Sequence, residues 1–87
     1  MNFQDWDLGY QDRGRAVLVR LSGDAANVRL LDDTNFSYFR TGRGHRAIGG
    51  YYTQSPIRLF VPSAGHWHVV IDFGGRAGRT NASVSVL

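Results

Sequence analysis

The stretch Ser55–Phe73, SPIRLFVPSAGHWHVVIDF, decides the fold. Two period-two runs, Ile57-Leu59-Val61 and Trp67-Val69-Ile71-Phe73, place apolar side chains on one face of a strand. Between them lies Pro62-Ser63-Ala64-Gly65, a break of the length that closes a β-hairpin. The pattern therefore predicts a central hairpin in an all-β domain.

The remainder of the chain repeats this pattern of short strands and turns. Strands are predicted near Trp6–Tyr10, over Arg15–Ser22 and Ala26–Leu31, weakly over Ile48–Tyr52, and over Asn81–Leu87. Turn residues separate them every 8–12 residues or so, which is typical of a sandwich or small barrel. Phe36, Tyr38 and Phe39 fit either a short strand or a helical turn after an Asp or Thr cap.

These strands define one domain over residues 1–87, a small antiparallel β-sandwich, jelly-roll-like, with about seven to eight short strands. The predicted core consists of inward-facing apolar residues: Val17, Val19, Leu21, Val28, Leu30, Ile57, Leu59, Val61, Trp67, Val69, Ile71, Val84 and Val86.

Composition excludes several classes of protein. There is no cysteine, so disulfides and thiolate metal clusters are excluded. No run approaches the ~20 apolar residues of a membrane span, and the N-terminus lacks the features of a signal peptide. We therefore expect a cytoplasmic protein without a membrane partner. A homo-oligomer is compatible with so small a core.

The sharpest candidate site is His66-Trp67-His68. Residues two apart share a strand face, so both imidazoles project the same way, as in strand-based pairs that ligate zinc or iron with a third ligand from elsewhere. Asp72 shares that face but lies about 20 Å further along the strand at ~3.3 Å per residue. The alternative is a pair of half-exposed histidines on a solvent-facing strand.

A second candidate is basic. All ten cations are arginines, against seven aspartates, for a net charge of +3. Two glycine loops carry five of them: Arg40, Arg43, Arg46, Arg76 and Arg79. If the loops share one end of the sandwich, their arginines could bind the phosphates of nucleic acid or another polyanion, with Tyr51 or Tyr52 stacking on a base. The alternative is that these arginines are solvated or pair with Asp32, Asp33 or Asp72.

The remaining observations concern surface contacts and catalysis. Phe60 and Leu18 lie on the polar faces of their strands and are the best candidates for an exposed apolar patch.

The chain has no glutamate, no cysteine nucleophile, no G-x-S-x-G elbow and no phosphate-binding glycine motif. We expect a protein that is not an enzyme and uses no cofactor.

Two segments, LSGDAANVRLLDDTNFSYFRTGR (Leu21–Arg43) and GHWHVVIDFGG (Gly65–Gly75), resemble a small bacterial family known as domain of unknown function eighteen eighty-three. The resemblance covers essentially the whole chain. Members occur alone and fused to TIR domains, which implies an accessory or sensing module. The family has no assigned activity, so it implies no catalytic residue.

A looser resemblance is to β-sandwich modules of the pre-peptidase C-terminal and Golgi-dynamics kind. It rests on Asn27-Val28-Arg29-Leu30 followed by an aspartate-asparagine turn and an aromatic residue, and on the strand Trp67–Asp72. It implies a sandwich that binds other molecules.

The leading hypothesis is therefore a non-enzymatic binding or interaction module with a protein or small-molecule partner. The alternatives are a polyanion binder and a His-x-His metal-binding domain.

Overall fold

In the computed structural model, which describes residues 2–87, the fold consists of seven strands and one short helix. The elements in chain order are β1 (Phe3–Gln11), β2 (Ala16–Gly23), β3 (Ala26–Asp32), α1 (Asp33–Arg40), β4 (Ile48–Tyr52), β5 (Ile57–Phe60), β6 (Gly65–Asp72) and β7 (Thr80–Val86).

The strands form two antiparallel sheets. One has four strands in the order β1-β6-β3-β4, and the other has three in the order β5-β2-β7. The buried cluster between them draws side chains from both sheets, for example Val17 and Val19 of β2, and Val28 and Val69 of the larger sheet. The predicted all-β, two-sheet class is therefore confirmed, with seven strands.

The predicted central hairpin is wrong. β5 pairs with β2 in the smaller sheet, whereas β6 pairs with β1 and β3 in the larger one. The Pro62–Gly65 segment carries the chain from one sheet to the other, and there the Trp67 indole donates to the Ser63 carbonyl at 2.9 Å. Strands in facing sheets and strands in one hairpin show the same period-two pattern, because in both cases alternate residues face the core.

The predicted core is largely the observed one. Ten of its thirteen members are buried, while Leu21, Val84 and Val86 are only partly covered because the pairing of β2 with β5 ends at Val19 and β7 is an edge strand. A second, smaller cluster was not predicted. It comprises Leu31, Phe39 and Val70, with Phe3 and Phe36 packed against it.

This second cluster exists because α1 lies over the outer face of the larger sheet. The helix begins after Asp32, whose carboxylate accepts from the Asn35 backbone N–H at 2.8 Å, an N-cap hydrogen bond. Phe36 and Phe39 are three residues apart and share one face of the helix. Both rings pack edge-on against Phe3 of β1. The segment left open between strand and helical turn is thus a two-turn helix.

Position 49 in β4 requires a glycine because the backbone of β3 passes close to it. It adopts φ +120°, and a Cβ there would fall on the carbonyl oxygen of Val28 in β3. Gly49→Ala is therefore expected to lower the free energy of unfolding by about 2 kcal/mol. Urea denaturation measures this directly.

The neighbouring Gly50 is the matched control, because a Cβ there meets nothing within 4 Å. Gly50→Ala should change the free energy of unfolding by less than about 1 kcal/mol. Equal effects of the two substitutions would contradict the assignment of a special backbone role to Gly49.

Among residues 2–87, the only helix is the eight-residue α1. It is too short and too polar to cross a membrane.

Candidate metal centre

The pairing of β1 with β6 builds the site. Asp7 lies directly opposite His68, and Tyr10 lies opposite His66, with a bulge between Asp7 and Gly9. Gly9 has φ +67°, and its N–H donates to the Asp7 carboxylate at 2.8 Å. The bulge thus fixes the Asp7 side chain on the same outer face as the two imidazoles.

Three possible metal ligands converge there. The His66 Nε2 lies 2.6 Å from the Asp7 Oδ1, and the rings of His66 and His68 stack with centroids 5.0 Å apart. One ligand atom from each of these three residues lies within 4.8 Å of the other two. Asp7 and His66 are exposed, so the site opens to solvent, while His68 forms its floor.

The Asp7 carboxyl is held in its ionised form. The hydrogen bond from the Gly9 backbone N–H is the main cause that lowers its pKa, and the neighbouring His66 lowers it further. Desolvation is the second-largest influence and acts to raise the pKa, but it does not outweigh the others. An ionised carboxylate beside two imidazoles is a donor set that suits divalent transition metals.

His68 is only 4% exposed, so the expectation of two half-exposed histidines fails for it. α1 covers this part of the sheet, and the Phe36 ring stacks on the imidazole with centroids 4.1 Å apart. The Nε2 lies 2.9 Å from the Asp33 carboxylate, and the Nδ1 lies 3.2 Å from that of Asp5. Which of the two nitrogens donates depends on the tautomer of the ring.

Asp72 takes no part in this cluster, in line with the distance argued from the sequence. Its buried carboxylate accepts from the Arg29 Nε at 2.9 Å, from the Asn27 amide at 3.0 Å and from the Gly74 N–H at 2.8 Å. Burial acts to raise its pKa, but these hydrogen bonds and the Arg29 charge outweigh burial, so the pKa is lowered. This group ties β6 to β3 and has a structural role.

The first arginine loop packs along α1. The Arg40 guanidinium lies 5.9 Å from the Phe36 ring centroid and that of Arg43 lies 4.6 Å from the Tyr38 ring centroid. The backbone N–H of Arg46 donates to the side-chain oxygen of Asn35 at 2.7 Å. All three arginines remain exposed.

The second arginine loop lies beside the turn between β2 and β3. The backbone of Arg79 exchanges two 2.8 Å hydrogen bonds with Asp24. Arg76 and Arg79 line an open concavity with Phe3 and Phe73, whereas Arg46 lines a separate one with Tyr38 and Asn35. The concavities that the two loops line are therefore different.

The two apolar surface candidates lie on the outer face of the smaller sheet. Phe60 is 55% exposed, while Leu18 is half-buried. Leu18 lies on β2 and Phe60 on β5, on the opposite side of the hydrophobic core from the histidines.

Sequence reasoning missed the three aspartates around the histidines. The alternation of Trp6 and Leu8 does place Asp5 and Asp7 on the polar face of β1. Nothing in the sequence, however, says that β1 pairs with β6 rather than with another strand. Asp33 reaches His68 only because α1 folds back over the sheet.

Fold and site together define a two-sheet, seven-stranded β-protein that carries an aspartate–histidine cluster on one outer surface. The family model described as domain of unknown function DUF1883 matches residues 1–87, and the chain belongs to that family. Searches of curated proteins and of solved structures found no match.

Proposed function

We propose that this chain is a non-enzymatic binding module that holds one divalent transition-metal ion, of the zinc class, at Asp7, His66 and His68. The observation that carries the proposal is the convergence of one carboxylate and two imidazoles from adjacent strands, with ligand atoms within 4.8 Å of one another. Imidazole and carboxylate are the ligands that zinc and neighbouring first-row metals take when thiolates are lacking.

The strand pairing supports a preformed site. Asp7 and His68 are cross-strand neighbours, and His66 and His68 share one strand face. Their backbones are thus fixed by the sheet, and ligand atoms that already lie within 4.8 Å of one another need only side-chain rotations to reach a metal at about 2.0–2.2 Å. A site that is largely formed beforehand loses little conformational entropy when the ion binds.

The surrounding carboxylates support the same assignment. When one nitrogen of His68 binds the metal, that nitrogen gives up its contact with a carboxylate. The other nitrogen keeps its contact with Asp5 or Asp33. A carboxylate behind a ligating histidine fixes the orientation of the ring and raises its basicity. Phe36 stacked on His68 adds a packing constraint on the same ring.

Three protein ligands leave at least one coordination position open. Because Asp7 and His66 are exposed, that position faces solvent, where water or a donor group of a partner molecule can occupy it. The sequence offers no catalytic motif around the site. These features support binding, and an accessory role within a larger system, over catalysis.

The test is a titration of the untagged, chelator-treated protein with Zn²⁺ and Co²⁺, followed by calorimetry and by the visible absorption of bound cobalt. One equivalent of metal is expected to bind. Asp7→Asn is expected to weaken binding about tenfold or more, because it removes a charged ligand. His45→Ala, in the loop after α1, is the matched control and should bind as the wild type does. Absence of binding, or equal losses in both variants, would overturn the proposal.

A further inference from the structure

The two outer faces of this molecule differ in charge. Three aspartates, Asp5, Asp7 and Asp72, lie on the outer face of the larger sheet, where Arg29 pairs with Asp72. The strands of the smaller sheet, β2, β5 and β7, contain no acidic residue. Their charged residues are Arg20 and Arg58, and neither guanidinium lies within 4.0 Å of a carboxylate among residues 2–87.

The strand register orders the outer face of the smaller sheet into rows. The first row is Phe60, Ala16 and Leu87, the second is Arg58, Leu18 and Ser85, and the third holds Arg20 and Ser83. Arg15 stands at the end of the first row, where its Nε donates to the Leu87 carbonyl at 2.9 Å. We call this surface the basic face.

We infer that the basic face binds single-stranded nucleic acid. Its unpaired guanidiniums match the charge of a phosphate backbone, and arginine can contact a phosphate with two parallel hydrogen bonds. Phe60, 55% exposed at the end of the edge strand β5, offers a flat ring on which a base can stack. Open sheet surfaces that combine arginines with an aromatic ring are a recurrent platform for unpaired bases.

The polar side chains of this face favour nucleic acid over a lipid surface or an apolar protein partner. Ser83 and Ser85 are exposed beside the arginines and can donate to phosphate or sugar oxygens. Only Phe60 and Leu87 are large, strongly exposed apolar side chains on this face. That is too little apolar area to anchor a membrane or to form the core of a protein interface.

This inference is independent of the metal centre, which lies on the outer face of the other sheet. It also moves the nucleic-acid hypothesis from the two arginine loops, whose concavities are separate, to a continuous sheet surface.

The test is fluorescence anisotropy of a labelled oligothymidylate of about 12 nucleotides, titrated with the full chain between about 50 and 200 mM NaCl. Binding should weaken steeply with salt. Arg20→Ala/Arg58→Ala should reduce the salt slope by about two and weaken binding at low salt. Phe60→Leu, which keeps an apolar group but removes the ring, should weaken binding about tenfold.

The control is Arg76→Ala/Arg79→Ala, which removes the same charge from the second arginine loop and should cost less than the substitutions on the basic face. Urea denaturation of every variant establishes that it is folded. The inference is overturned if the oligonucleotide does not bind, if the loop variant loses as much as the face variant, or if Phe60→Leu has no effect. It is also overturned if the protein binds phosphatidylserine-containing vesicles through these residues and not the oligonucleotide.

Discussion

Replacing His68 with glutamine is expected to lower the affinity for zinc by about 100-fold or more, because it removes a ligand from a three-ligand site. The same substitution should lower the free energy of unfolding of the metal-free protein by about 1–3 kcal/mol. The buried ring contacts Asp5 and Asp33 through its two nitrogens and stacks on Phe36, and glutamine cannot replace all of these contacts. Calorimetric zinc titration and urea denaturation measure the two effects separately.

His66→Gln separates ligation from packing. His66 is exposed, and it contacts Asp7 and stacks on His68 at the protein surface, so its loss should change the stability of the metal-free protein by less than about 0.5 kcal/mol. Zinc affinity should nevertheless fall as it does for His68→Gln. If His68→Gln destabilises the protein but leaves zinc affinity intact, His68 is a core residue and the proposed metal centre is wrong.

Replacing Asp72 with asparagine is expected to lower the free energy of unfolding by about 3 kcal/mol at pH 7. The Asp72 carboxylate accepts hydrogen bonds from three donors, on Arg29, Asn27 and Gly74. Asparagine offers one acceptor oxygen and one N–H₂ group, so in either orientation a donor faces a donor. The Arg29 charge, partly buried beside this group, would also lose its counterion.

The pH dependence of this effect follows from the lowered pKa of Asp72. A carboxyl whose pKa is lower in the folded state stabilises the fold above its unfolded value of about 3.9, and this contribution disappears as pH falls through the folded-state value. The difference between wild type and Asp72→Asn should therefore be constant from pH 7 to about pH 5 and shrink below about pH 4. A difference that does not change on acidification would contradict the assigned ion pair.

The period-two alternation predicted most of the fold, because each strand buries alternate residues whichever sheet it joins. Val17, Val19, Val28, Leu30, Val69 and Ile71 are buried as expected. Strand pairing was not predictable on the same basis. The Pro62–Gly65 break has the length of a hairpin loop, yet it connects strands in different sheets, and the choice depends on long-range packing that local sequence does not encode.

The candidate site was predicted in part for a related reason. The spacing of His66 and His68 predicted two candidate ligands on one strand face, and the third candidate, Asp7, lies on another strand, 59 residues before His66 in the chain. The burial of His68 depends on α1, whose sequence signals were the Asp32 cap and the spacing of Phe36 and Phe39. Eight residues gave too short a pattern to distinguish a helix from a strand.

The most direct test of the metal centre is anomalous diffraction at the zinc absorption edge from crystals of the zinc-bound protein. The account predicts one strong peak at about 2.0–2.2 Å from a carboxylate oxygen of Asp7 and from one ring nitrogen each of His66 and His68. A peak at His45 or at the arginine loops, or no peak at all in protein at saturating zinc, would contradict it.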